Sequence, residues 1–199
     1  MSKVLMAFTM SLDGFIAGPR VSKAYPLGVG GQYLHEWLFK GGSEEPDASM
    51  AREMLERGGA TVLGKRTFDV GLPHWNDTPY PTPSFVLTHE KREPREMKSA
   101  SFVFVNDGIE SAVRQACAAA GDKDVILMGA EVSKQALSAG LVDELFLQLS
   151  PLLLGGGTRL FEGPDVSRIR LDCVRTVASP YVTHLHYRVS YSSSTTLAE

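Results

Sequence analysis

Short apolar runs separated by turn residues dominate this chain. Val4, Leu5, Met6, Ala7 and Phe8 form an unbroken apolar stretch that leads to the turn pair Asp13-Gly14, which predicts a buried strand followed by a reversal; extended chain resumes at 15–17. Residues 18–31 are rich in Gly and Pro and read as loop. Residues 32–40 suit a short helix with Leu34, Trp37 and Leu38 on one face, and 41–46 form a second loop. Met50, Met54 and Leu55 recur at helical spacing, predicting a helix over 47–57 closed by Gly58-Gly59. Buried strands follow at 60–63, 84–88, 102–105 and 124–128, with helices at 109–120 and 132–139; prolines rule out a helix over 73–83. Such alternation signals a mostly parallel sheet with helices on its faces. The end of the chain differs. Residues 145–154, 168–178 and 183–191 are extended runs with no helix between them, so antiparallel strands complete the sheet.

At 199 residues the chain suits one domain over 1–191, with a loop insert at about 18–46 and a disordered tail at 192–199. Composition then removes whole classes of function. A net charge of −3 lacks the basic excess that a nucleic-acid binder needs. No run approaches the ~20 apolar residues of a membrane span, and the opening ten residues lack the basic start and cleavage site of a secretory signal. Cys117 and Cys173 match no zinc or CxxC spacing and read as free thiols. The expectation is a soluble cytoplasmic protein with no metal, nucleic-acid or membrane partner.

Two glycine turns carry the candidate chemistry. Gly64-Lys65-Arg66-Thr67 follows a buried strand and combines close backbone approach, positive charge and a hydroxyl at a helix start, which suits a phosphate monoester. The plainer reading is a strand-to-helix turn with two solvated basic side chains. It is not a P-loop, because Arg66 stands where Ser or Thr must hold magnesium. Gly129-Ala130-Glu131-Val132 ends another strand and opens a helix, aiming free N–H groups at whatever lies above the sheet edge. Gly28-Val29-Gly30-Gly31 resembles a fragment of the G-x-G-x-x-G dinucleotide fingerprint, but no strand precedes it and Tyr33 stands where the third fingerprint glycine belongs, so it reads as flexible loop. Gly155, Gly156 and Gly157 suit a bulge or wide turn between extended runs. Asp13 and Asp47 are the carboxylates nearest the predicted ligand edge, as proton donors or substrate anchors; the plainer reading makes Asp13 a turn former and Asp47 a helix cap. The five histidines form no metal or triad pattern, and His184 and His186 merely share a strand face.

In order along the chain stand SLDGFIA at 11–17, VLGKRTF at 62–68, VILMGA at 125–130, LVDEL at 141–145 and PLLLGGGTRLF at 151–161. Together these resemble the dihydrofolate-reductase-like superfamily, in the form of the riboflavin-biosynthesis reductase domain (RibD C-terminal type), over roughly 3–191. The resemblance implies an α/β three-layer sandwich whose mostly parallel central sheet of about eight strands carries an antiparallel C-terminal strand. It implies NADPH across the C-terminal edge: Gly64, Lys65 (or Arg66) and Thr67 at the adenosine phosphates, Thr88 and His89 near the adenine, Met128, Gly129, Ala130, Glu131 and Val132 at the pyrophosphate, and Ala7 and Ile16 near the nicotinamide. Ala130 and Lys65 depart from the family's usual Gly and Arg. Reduction of the ribosylaminouracil riboflavin precursor is the implied activity, with dihydrofolate reduction or a non-catalytic nucleotide-binding module as alternatives. The family also makes a homodimer an expectation.

Overall fold

The computed structural model describes residues 2–40, 44–163 and 166–192, so all of the tail expected at 192–199 except Ser192 lies outside the described residues. In chain order the elements are β1 (Val4–Ser11), β2 (Phe15–Ala17), a 3₁₀ turn (Gly31–His35), α1 (Glu36–Lys40), α2 (Asp47–Arg57), β3 (Gly58–Gly64) and α3 (Lys65–Gly71). A 3₁₀ turn (Leu72–His74), β4 (Ser84–Leu87), β5 (Arg95–Glu96), β6 (Ser101–Val105), α4 (Ile109–Ala120), β7 (Asp124–Met128) and α5 (Ala130–Ser138) follow. The chain ends in β8 (Glu144–Ser150), β9 (Thr158–Arg159), β10 (Ile169–Ala178) and β11 (Thr183–Tyr191).

Among the described residues nine strands form one sheet in the order β10-β11-β8-β1-β7-β3-β4-β6-β5, and β2 pairs with β9 apart from it. From β8 through β6 every pairing is parallel, whereas β10, β11 and the short edge strand β5 run antiparallel to their neighbours. The unbroken apolar runs explain the parallel centre, since both faces of these strands are covered. On one face Val62 and Phe85 pack with Ala112, Ala116, Val132 and Ala136 of α4 and α5. On the other, Leu63, Val86 and Phe102 pack with Phe68 of α3. Phe102 is fully buried, edge-on to Phe68 at 5.0 Å and stacked near Trp75 at 6.1 Å. Burying such a ring contributes about 1.5–3 kcal/mol, enough to fix α3 and the turn behind it. On that same face α2 crosses β8 and β11, with Asp47 on His184 and the Arg57 guanidinium over Phe146.

Some sequence expectations change in detail. The expected helix over 32–40 splits into a 3₁₀ turn and α1, so Leu34 and Trp37 are buried while Leu38 turns outward. A 3₁₀ turn stacks positions three apart and rotates the next one away. Gly58 and Gly59 do not merely close α2; they begin β3, where a Cβ would strike Ile126 and the 120–123 turn. Beyond Ser150 the extended run breaks, and Gly157 at φ +130° lets the chain touch the Ala17 carbonyl before β9 pairs with β2.

Candidate functional site

Parallel pairing places the two glycine turns side by side. Leu63 stands opposite Met128, so β3 and β7 end at the same height, and each strand hands over to a helix at its glycine. The turns interlock. A Cβ on Gly129 would lie 2.3 Å from the Thr67 hydroxyl oxygen, and one on Gly64 would lie 3.3 Å from a Val132 methyl. Gly129 holds φ +95°, a conformation that glycine adopts without strain.

Above this junction opens a cleft of about 870 Å³, large enough for a dinucleotide-sized ligand. Ala7, Ile16, Gly64, Lys65, Arg66, Thr67, Thr88, His89, Met128, Gly129, Ala130, Glu131 and Val132 all line it. Arg66 is exposed and makes no ion pair with the described residues, whereas Lys65 donates to Asp69. The Glu131 side chain is 79% exposed and faces Lys134 at 3.5 Å, so its backbone is what it offers the cleft. Free N–H groups at the start of α5, with Arg66 and Lys65 across the junction, make this end of the cleft attractive to phosphate. The protein therefore fits a phosphorylated dinucleotide on its own residues.

Neither Asp13 nor Asp47 is among the residues that line the cleft. Asp13 accepts from the Ser11 hydroxyl at 2.6 Å and from the Leu154 and Gly155 amides at 3.1 and 2.7 Å, which fastens the 151–157 segment to the first turn. The Ser11 hydrogen bond above all, and then those amides, hold its pKa at about 2 against partial desolvation. Such a group stays ionised at neutral pH and has no proton to give. Asp47 is not a helix cap. It is the first residue of α2, 2% exposed, and its carboxylate meets His184 Nε2 at 2.7 Å.

Because the folded pKa of Asp13 lies below its ordinary value of 3.8, its contribution to stability is complete above about pH 4 and is lost as pH falls towards 2. Asp13→Asn is thus expected to flatten the pH dependence of unfolding between pH 4 and 2. Parallel acid-denaturation curves for the wild type and the variant would refute this.

Thr9, His35, His74, Trp75, Tyr80, Asn106 and Gly108 also line the cleft and escaped the sequence reading. Thr9 had a signal, since it lies two residues beyond Ala7 on the same strand face. Its hydroxyl accepts the Trp37 indole N–H at 3.0 Å. Tyr80 stands between Pro79 and Pro81 at φ +55°, a costly conformation that no local pattern announces. His74 and His35 sit in turns with no periodicity. His184 and His186 are spent on Asp47 and Glu144, and no group of three His, Cys, Asp or Glu among the described residues could share a cation. No helix among the described residues is long and apolar enough to cross a membrane.

The sequence matches the RibD C-terminal domain family over residues 2–185. A putative riboflavin biosynthesis protein from Shewanella sp. PV-4 is similar in structure, with a TM-score of 0.70 at 24% identity, covering 96% of this chain and 99% of that one. The Thermotoga maritima diaminohydroxyphosphoribosylaminopyrimidine deaminase/5-amino-6-(5-phosphoribosylamino)uracil reductase gives 0.62 at 15% identity, over 94% of this chain and 56% of its own. A dihydrofolate reductase from Enterococcus faecalis, complexed with NADP(H), gives 0.56 at 17% identity, over 94% and 96%. The shared fold is the dihydrofolate-reductase-like one.

Proposed function

This chain belongs to the RibD C-terminal domain family, and on that premise we propose that it is an NADPH-dependent reductase acting on a C=N or C=O carbon of a small heterocycle. The meeting of the two glycine turns at one end of an open cleft is the observation that carries this reading. Bound there, NADPH would supply the hydride. Arg66 and Lys65 would hold the adenosine phosphate, and the α5 amides from Gly129 to Val132 the pyrophosphate. Ala7 and Ile16 would lie near the nicotinamide, and Thr88 and His89 near the adenine. Phe8, Val21, Leu27 and Trp75 give the rest of the cleft apolar walls suited to a flat ring. The Thermotoga relative makes a ribosylaminouracil the first substrate to test.

The double change Lys65→Ala and Arg66→Ala is expected to weaken NADPH binding roughly 10–150-fold, because a hydrogen bond to a charged group contributes about 1.5–3 kcal/mol. NADH, which lacks the extra phosphate, should be nearly unaffected. Fluorescence titration with both cofactors checks this; equal weakening, or none, refutes the phosphate assignment. NADPH consumption with 5-amino-6-(5-phosphoribosylamino)uracil and with dihydrofolate tests the reaction. A thermal shift with NADPH but no turnover on either substrate would favour a binding module without catalysis.

A further inference from the structure

With Asp13 and Asp47 committed elsewhere, the cleft needs another group to hold the substrate heteroatom. His35 closes the 3₁₀ turn that packs on β1 and β2, and it lines the cleft together with Thr9, Ile16, Ala17 and Leu27. Its two ring nitrogens differ. Neither has a hydrogen-bond partner among the described residues; Nδ1 is buried, whereas Nε2 is not. A protonated ring would carry an N–H at each nitrogen and leave the Nδ1 donor buried without an acceptor, which is costly. Between the neutral forms, a buried lone pair is tolerated better than a buried orphan N–H. The ring therefore keeps one proton, on Nε2. Burial lowers its basicity and is the sole influence on it, with no charged side chain contributing.

We propose that His35 grips the acceptor heteroatom of the substrate through its Nε2–H, as a catalytic hydrogen-bond donor beside the position expected for the nicotinamide. This deepens the reductase reading and rests on it. In the reaction the hydride brings its electron pair to the carbon, the π bond breaks onto the heteroatom, and water furnishes the proton. His35 keeps its own proton throughout and stabilises the charge that grows on the heteroatom, a role for which a neutral imidazole suffices. The class of substrate follows: a compound bearing a small heterocycle whose reducible carbon is double-bonded to an oxygen or nitrogen acceptor.

The test has two arms. Long-range ¹H–¹⁵N spectra of the imidazoles, with the His35 signals assigned by their loss in His35→Gln, should show the Nε2–H tautomer as the neutral form, with the ring titrating only below pH 6.5, in the protein without cofactor. A proton on Nδ1, or titration at or above pH 6.5, overturns the proposal. In the second arm, 5-amino-6-(5-phosphoribosylamino)uracil is titrated with NADP⁺ present. His35→Leu should weaken its binding about 10-fold, while His35→Gln, which keeps an N–H donor, stays within a few-fold of wild type. NADP⁺ affinity should match in all three proteins. Wild-type binding of the uracil by His35→Leu overturns the proposal, and so does a joint loss of NADP⁺ affinity, which would mark His35 as merely structural. A wild type that binds no NADP⁺ at all would instead refute the reductase reading, and the spectral arm still decides on His35.

Discussion

Gly129→Val is expected to reduce NADPH affinity at least about 100-fold in a protein that still folds. Two independent costs meet at this position. The backbone holds φ +95°, where a β-branched residue is strained by about 1–3 kcal/mol. The first carbon of any side chain would also lie 2.3 Å from the Thr67 hydroxyl oxygen, so the two turns must separate before it fits. Separation moves the Thr67 hydroxyl and the α5 amides apart, and a dinucleotide whose phosphates spanned the two turns would lose several hydrogen bonds at once. At about 1.5–3 kcal/mol for each bond to a charged group, losing two costs about 3–6 kcal/mol, which gives at least the stated loss of affinity. The strain should appear as a melting temperature lower by roughly 2–12 °C, with the circular dichroism spectrum unchanged. Gly129→Ala adds the same first carbon without branching and should fall between the two. Wild-type NADPH affinity in folded Gly129→Val would remove the pyrophosphate from this turn.

The glycine turns were legible because their geometry is local. A parallel strand that ends in glycine and passes into a helix has few ways to fold, and the apolar runs place β3 and β7 in one sheet. The carboxylates were not legible because their partners are remote. Asp13 sits within a recognisable turn, yet the amides that hold it belong to Leu154 and Gly155, brought near only when β9 pairs with β2. Asp47 occupies the start of a helix as expected, but its partner comes from the last strand. Short irregular pieces were also beyond pattern reading. The 3₁₀ turn that delivers His35, and the Pro79-Tyr80-Pro81 segment that brings Tyr80 to the cleft wall, obey no hydrophobic period. Loops carry specificity in α/β proteins for this reason: the sheet fixes their ends, and tertiary contacts decide what they present.

Asp47→Ala is expected to lower stability by about 3 kcal/mol and to leave the chemistry of the cleft in place. The carboxylate is 2% exposed and its only hydrogen-bond partner among the described residues is His184, itself 5% exposed. His184 Nδ1 is already buried without a partner among the described residues, so removing Asp47 leaves both ring nitrogens unsatisfied there. One orphaned buried polar group costs about 1–3 kcal/mol, and breaking a buried pair about 3–5 kcal/mol where both partners are charged. For a chain of this size such a loss lowers the melting temperature by roughly 6–12 °C. Asp47→Asn keeps an oxygen acceptor at the same place and should cost only about 1 kcal/mol. Asp47 reaches the cleft only through a chain of contacts: His184 stands edge-on to Trp37 at 5.2 Å, and Trp37 donates to Thr9. Small shifts at Thr9 would alter turnover a few-fold, far short of the ~10²–10⁴-fold expected for loss of a proton donor. A double-mutant cycle with His184→Ala separates the two roles, because the paired variant should recover much of the stability that each single change loses. If Asp47→Asn keeps wild-type stability yet loses turnover 100-fold or more, the carboxylate is the acid after all. Its burial against His184 would then be a resting arrangement that substrate binding must break.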